Sequence, residues 1–310
     1  MKKCIDVKSV IGGAVPETVP LFKLGEHMDF NRTIFENRME RKAPFLAAHR
    51  GICGGNIPCN TLAAYKIAVD QGADVVEIDV TKSKDGVFFV FHPFMEPVFL
   101  QGGKLITEMT AEEVKNTPLL NQDKVPTHYR VPTLQEVFAF LKDKAYINVD
   151  KFWMDVQGIT AEIRKAGVEK QVLVKTPIKE EILKEVETYA SDLMFCGIAW
   201  HQDEISEQLL KRNINFIGME ALFDQDTDEI ISEEYIRWMH EHKLLVWVNS
   251  IVYDEKEVIS AGYTDDISLT ESPDAGWGWL IEKKVDFIQT DWILSLRSYL
   301  ESRFGKENSQ

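Results

Sequence analysis

Cysteine is scarce in this chain. Cys4, Cys53, Cys59 and Cys196 form no CxxC pair and no spacing suited to a metal site. Cys53 and Cys59 could close a small loop, but reduced thiols in a cytoplasmic protein are the expectation. No basic run or stripe offsets a formal charge of -15, which argues against a nucleic-acid partner. No apolar run approaches the ~18 residues of a membrane span, so stable membrane insertion is not expected. The opening MKKCIDVKSVIGGAVPETVP has a short basic end, but glycines break its weak apolar stretch, and it falls short of a signal peptide. P-loop, HExxH and nucleophile-elbow motifs are missing.

What is present is a core and a rhythm. Of 310 residues 45% are hydrophobic and 10% aromatic, enough for a large interior. Residues 1–44 show no clear periodicity and read as an extension packing on the rest of the chain. From Pro44 onward short apolar runs alternate with amphipathic helical stretches such as TLAAYKIAVDQG and EEYIRWMHEHK. The strand candidates are 45–49, 74–80, 145–150, 171–175, 193–200, 215–222, 244–250 and 286–291. Eight strands separated by helices predict an α/β fold, a (β/α)8 TIM barrel over 45–304, with a frayed tail at 305–310. An open doubly wound sheet is the alternative, but no GxGxxG follows the first strand.

One connection breaks the rhythm. Only TKSKDG separates Val80 from Val87, too short for a crossover helix. With Asp85-Gly86 as a two-residue turn, Lys84 pairs with Val87 and Asp79 falls opposite His92; a bulge would shift this by one residue. The barrel thus gains an extra hairpin strand. A long irregular insertion, 93–133, comes next and reads as a lid or substrate wall. Within it Thr110 and Glu113 form one capping box, and Thr133 with Glu136 opens the next helix with another.

Barrel sites lie at the C-terminal strand ends. Here those ends carry His49 and Arg50, Glu77 and Asp79, Asp150, Lys175, Trp200, Glu220, Asn249 and Asp291. Three converging carboxylates, Glu77, Asp79 and Asp150, repel one another unless a cation joins them. An oxygen-rich set suits one hard divalent cation, Mg²⁺ or Ca²⁺, with Mn²⁺ as an alternative and Zn²⁺ less suited. His49 and His92 fit acid and base roles. Arg50 offers a forked donor for phosphate oxygens and Lys175 a point charge. Glu220 is either structural or a substrate contact, and Trp247 either packing or a stacking surface. Together these residues describe phosphodiester chemistry on a small molecule better than carbonyl chemistry.

The order of these motifs resembles the glycerophosphodiester phosphodiesterase family. His49-Arg50-Gly51 resembles its HRG, and Asn60-Thr61 through Gly72-Ala73-Asp74 its N-T-to-GAD segment. Glu77-Ile78-Asp79-Val80, Lys84-Asp85-Gly86 and Phe91-His92 resemble the E-x-D-V, K-D-G and second-histidine elements. Val131–Val137 resembles the P-T-L-x-E-V helix start, and Val285–Asp291 the final strand. The resemblance implies a TIM barrel and metal-dependent hydrolysis of glycerophosphodiesters to glycerol 3-phosphate and an alcohol. It implies His49 and His92 as the acid/base pair, Glu77, Asp79 and Asp150 as metal ligands, and Arg50 as a phosphate contact. Two departures stand out. Pro93 replaces the Asp that usually follows the second histidine. Lys151 stands one residue after Asp150 rather than two, which in an extended strand would face it away from the site, leaving Lys175 to replace its charge. A lysophospholipase D or cyclising phospholipase acting on lipids, with Phe94, Met95, Phe99 and Leu100 near an acyl chain, is a second reading. A silent phospho-ligand-binding barrel is a third. Oligomeric state is not legible.

Overall fold

A computed structural model describes residues 28–202, 204–252 and 256–305. Cys4, most of the N-terminal extension and the tail from 306 lie outside them. The strands are β1 (Phe45–Ala48), β2 (Val75–Lys82), β3 (Phe88–Val90), β4 (Pro118–Leu120), β5 (Pro126–Arg130), β6 (Tyr146–Asp150), β7 (Val172–Pro177), β8 (Met194–Ala199), β9 (Phe216–Ala221), β10 (Leu245–Asn249) and β11 (Phe287–Thr290). Eight of them form a closed parallel ring in the order β1, β11, β10, β9, β8, β7, β6, β2, with β2 returning to β1. β3 lies outside the ring, antiparallel to β2. The expected TIM barrel with an added hairpin strand is therefore the fold.

Alternation along each strand divides the core in two. Phe45, Ala47, Val75, Tyr146, Leu173, Leu245, Trp247 and Phe287 form one buried cluster, which fills the ring. The alternate positions, such as Leu46, Ile78, Ile147, Val174 and Val246, form the larger cluster with the surrounding helices. Before β1, the helix Ile34–Met39 starts on a Thr33/Glu36 capping box and packs Ile34 and Phe35 on the inner cluster. Arg38 meets the buried Asp286 at 3.1 Å, and Arg41 meets Asp74 with both terminal guanidinium nitrogens. Asp74 and Asp286 also accept the backbone N–H groups of Leu46 and Val246, the latter beside His240 at 2.9 Å.

The hairpin register differs from the expectation by one residue. Val80 faces Val90, Thr81 faces Phe89, and the Asp79 carbonyl accepts from the N–H of Phe91, not His92. The turn holds three residues: Ser83 pairs with Val87, and Gly86 takes φ +91°. Ser83 Oγ explains the extra residue, since it accepts from the Val87 N–H at 3.0 Å and donates to Asp85 at 2.7 Å. The insertion has structure of its own. Both capping boxes form, β4 pairs with β5, and Leu100, Ile106, Met109, Val114 and Leu119 make a separate small core with Phe89 and Phe91. Leu100 is buried there with Met95 and Phe99 against it, while Phe94 is exposed.

The expectation of separate thiols is overturned at Cys53 and Cys59, which form a disulfide across a Cα separation of 4.9 Å. Gly54 and Ile57 exchange backbone hydrogen bonds at 3.0 Å, folding the short loop back until the two sulfurs meet. The thiol argument for a cytoplasmic location falls with it. Cys196, on β8, is free and buried, and burial pushes its thiol up to about 12.

Candidate active site

The site is assembled by strand register. β2 and β6 pair with Glu77 beside Asn148 and Asp79 beside Asp150. Glu77 and Asp79, midway along β2, and Asp150, at the C-terminal end of β6, converge and can offer oxygens all within 4.8 Å of one another. Glu77 and Asp79 are buried and Asp150 half-buried. Burial first, then Asp79 and Asp150, hold Glu77 well above the usual carboxylate range, against Arg50. Burial acts the same way on Asp79, but Arg50 outweighs it with help from His92, Lys151 and Asn60, so Asp79 lies below its usual value.

Around this cluster the chain supplies positive charge and fixed donors. Arg50 Nε stands 3.0 Å from Asp79 Oδ2, and the Arg50 N–H donates to Glu77 at 2.8 Å. Arg50 and Gly51 both have positive φ, +56° and +76°, and a Cβ on Gly51 would lie 2.8–2.9 Å from Ala64 and Tyr65. Only glycine fits that second position, which explains the HRG sequence in steric terms. Asn60 donates to Asp79 at 2.9 Å while accepting from the Tyr65 hydroxyl at 2.8 Å, so its amide is oriented from behind.

The two histidines are held differently. His49 Nδ1 pairs with Asp291 Oδ1 at 2.9 Å. His92 follows β3 rather than ending it, yet its Nε2 comes within 3.9 Å of Asp79 Oδ1. Its Nδ1 donates to the Pro93 carbonyl at 2.9 Å, so the residue that departs from the family pattern still orients the ring, through its backbone. Burial lowers the pKa of His92, with Arg50 and Lys151 adding to the effect and Asp79 opposing it.

Lys151 contradicts its expected direction. Its backbone turns left-handed at φ +60°, ending β6 and bringing Nζ to 2.7 Å from Asp150 and 3.9 Å from Asp79. A residue expected to face away therefore belongs to the site; only its residue type signalled this, because spacing arguments assume an extended strand. Lys175 is 2% exposed, paired with Glu220 at 3.0 Å and 3.4 Å above the Trp247 ring. Asn249 donates to Glu220 at 2.6 Å, and Trp247 Nε1 donates to Gln289 at 3.1 Å. Trp247 is 1% exposed and stacks on Phe287. Lys175, Glu220, Asn249, Gln289 and Trp247 thus form a polar network of their own, joined by contacts that do not include the three clustered carboxylates.

A divalent cation is consistent with the donor set. Asp79 Oδ1 and Asp150 Oδ1 are buried without a hydrogen-bond partner among the described residues, as is His92 Nε2. Orphaned carboxylate oxygens inside a protein cost several kcal/mol in principle, and a hard cation is the partner their chemistry suits.

Comparison with known proteins agrees. The sequence model of the glycerophosphoryl diester phosphodiesterase family matches residues 49–254. A glycerophosphodiester phosphodiesterase of Caldanaerobacter subterraneus subsp. tengcongensis is 31% identical over 169 residues, 50% of this chain and 69% of that one. One from Bacillus altitudinis is 29% identical over 126 residues, 40% of this chain and 49% of its own length. In this and other relatives the matched stretch spans less than two thirds of their length. Among solved structures, a glycerophosphoryl diester phosphodiesterase from Parabacteroides distasonis superposes with a TM-score of 0.70 at 20% identity, covering 87% of this chain and 92% of that one. An Oleispira antarctica phosphodiesterase in complex with the product sn-glycerol-3-phosphate gives 0.58 at 18% identity, covering 83% and 97%. At such identities the superpositions speak for the fold. The family model spans most of the chain and contains both histidines and all three carboxylates, and the chain belongs to the glycerophosphoryl diester phosphodiesterase family, a family of phosphoric diester hydrolases.

Proposed function

We propose that this chain hydrolyses glycerophosphodiesters to glycerol 3-phosphate and an alcohol. The observation that carries the reading is the convergence of three carboxylates within 4.8 Å, with His92 Nε2 within 3.9 Å of one of them. Glu77, Asp79 and Asp150 would hold one divalent cation, Mg²⁺ or Ca²⁺. When bound, such a cation polarises a phosphoryl oxygen and eases deprotonation of a nearby hydroxyl. Arg50 and Lys151 supply donors for the phosphate oxygens. Lys175, committed to Glu220, is better suited to holding that carboxylate in place.

The histidine roles follow from their partners. A carbonyl accepts only, so His92 carries a proton on Nδ1 and, when neutral, presents the lone pair of Nε2; burial favours that neutral form. That suits a general base. His49 is held at Nδ1 by the Asp291 carboxylate, which aims Nε2 away from that partner, and that suits the acid which returns a proton to the leaving alcohol. The attacking hydroxyl is either water or the substrate's own glycerol hydroxyl.

A panel of phosphodiesters, assayed after chelation and after return of Mg²⁺, Ca²⁺ or Mn²⁺, tests this reading. Turnover should vanish with chelator and return with one of the metals. His49→Ala and His92→Ala should each lower kcat roughly 10²–10⁴-fold in protein that still folds. Unchanged turnover in either variant would sink the mechanism.

A further inference from the structure

Asp265 lies outside the residues matched by the family model and is 3% exposed. It opens the short helix Asp265–Thr270, yet the N-cap bond there comes from Thr264, leaving the Asp265 carboxylate for other partners. Ser250 Oγ at 2.6 Å, Trp277 Nε1 at 2.7 Å and Thr290 Oγ1 at 2.7 Å all donate to its Oδ1. The backbone N–H of Asp291 donates to its Oδ2 at 2.9 Å. The Asp265 N–H in turn donates to the Ser250 carbonyl at 2.6 Å. One buried carboxylate thus ties together the residue after β10, the end of β11 and Trp277. Burial raises its pKa to about 6, and the four donors act against that rise.

What the knot holds is the partner of His49. Asp291 places Oδ1 2.9 Å from His49 Nδ1, and the His49 N–H donates to the Thr290 carbonyl at 3.2 Å. The Asp291 side chain is itself 52% exposed. A carboxylate that open to solvent has rotamers to spare and fixes a ring weakly unless its backbone is fixed first. Both residues that touch His49 here, Thr290 and Asp291, are gripped by Asp265.

We propose that Asp265 is a positioning residue for His49. It locks the end of β11 so that the Asp291 carboxylate holds the imidazole by Nδ1 and leaves Nε2 for the reaction. The inference rests on the catalytic reading of His49.

The experiment pairs kinetics of the metal-loaded enzyme with NMR of the metal-free protein carrying ¹⁵N-histidine, the His49 signals being assigned with His49→Gln. Asp265→Asn should lower kcat about 10–100-fold with little change in KM, since geometry rather than binding is lost. The ¹⁵N signal of His49 Nδ1, hydrogen-bonded to Asp291 in the wild type, should move toward that of an unpaired ring nitrogen in Asp265→Asn, the same direction expected for Asp291→Asn, because the ring loses its fixed carboxylate. The double variant should be no worse than the poorer single, as expected for residues acting in series. Trp277→Phe removes one donor and should move both readouts the same way by less; it decides the matter if Asp265→Asn fails to fold. An unmoved His49 Nδ1 signal in the folded variants, or losses that multiply in the double variant, would overturn the proposal. If the wild type turns over no phosphodiester, the functional reading fails, while the NMR arm still decides whether Asp265 positions His49.

Discussion

At the scale of single residues, the site depends on backbone conformations that most side chains avoid. Arg50, Asn60 and Lys151 all have φ near +60°, and each sends a side chain to Asp79. Non-glycine residues adopt this region at a cost, and it persists where the surroundings over-determine it. Lys151 is the most informative of the three. Its ammonium lies 2.7 Å from Asp150 and 3.9 Å from Asp79, two of the carboxylates that would hold a cation. Lys151→Met should therefore do two opposite things. Calorimetric titration should show Mg²⁺ binding tightened several-fold, on the order of 1 kcal/mol for one partly screened charge. Steady-state assays should show KM raised, as the substrate phosphate loses a donor. Weaker metal binding in this variant would mean that the lysine does not compete with the cation.

At the scale of elements, the β2–β3 hairpin carries His92 to the carboxylates. Its three-residue turn sets the register one residue away from that of a two-residue turn, so β3 ends before His92. The Pro93 carbonyl then orients the ring. Gly86 makes this turn possible at φ +91°, and a Cβ there would meet only Lys82 Cε at 3.9 Å. The cost of Gly86→Ala is therefore conformational rather than steric, about 1 kcal/mol. Urea unfolding should register that loss, and kcat should fall as well if the turn positions His92. A variant as stable as wild type would show that the turn tolerates another conformation. The Cys53–Cys59 loop works at the same scale: it closes directly before Asn60, the residue that donates to Asp79.

At the scale of the molecule, the barrel keeps its chemistry and its structural charges at opposite ends. The mouth gathers Glu77, Asp79, Asp150 and the two histidines. The other end gathers Arg38, Arg41, Asp74, His240 and Asp286 around the helix Ile34–Met39. Asp286 is fully buried, with Arg38 at 3.1 Å and His240 at 2.9 Å. Arg38→Met leaves that carboxylate with less compensation and should cost about 3 kcal/mol, the usual result of removing one partner of a buried pair. Thermal or urea unfolding would measure it, and kcat below the unfolding transition should stay at the wild-type value. A loss of kcat without a loss of stability would show that the two ends are coupled.

The sequence by itself determined what depends on near neighbours. Strand alternation, the capping boxes at Thr110 and Thr133, and the Asp85-Gly86 turn signal are local, and the ring and its carboxylates follow from them in order. The family motifs are read as local strings too, although the steric reason for Gly51 lies with Ala64 and Tyr65 on the following helix. Tertiary structure alone decided the rest. Lys151 enters the site because β6 stops at Asp150, the hairpin register depends on how Ser83 spends its hydroxyl, and the Cys53–Cys59 bond depends on a loop closing. Asp265 reaches Asp291 only because β10 and β11 lie side by side in a closed barrel. Hydrogen bonds between residues distant in sequence carry no periodicity, and so they leave no pattern to read before the ring closes.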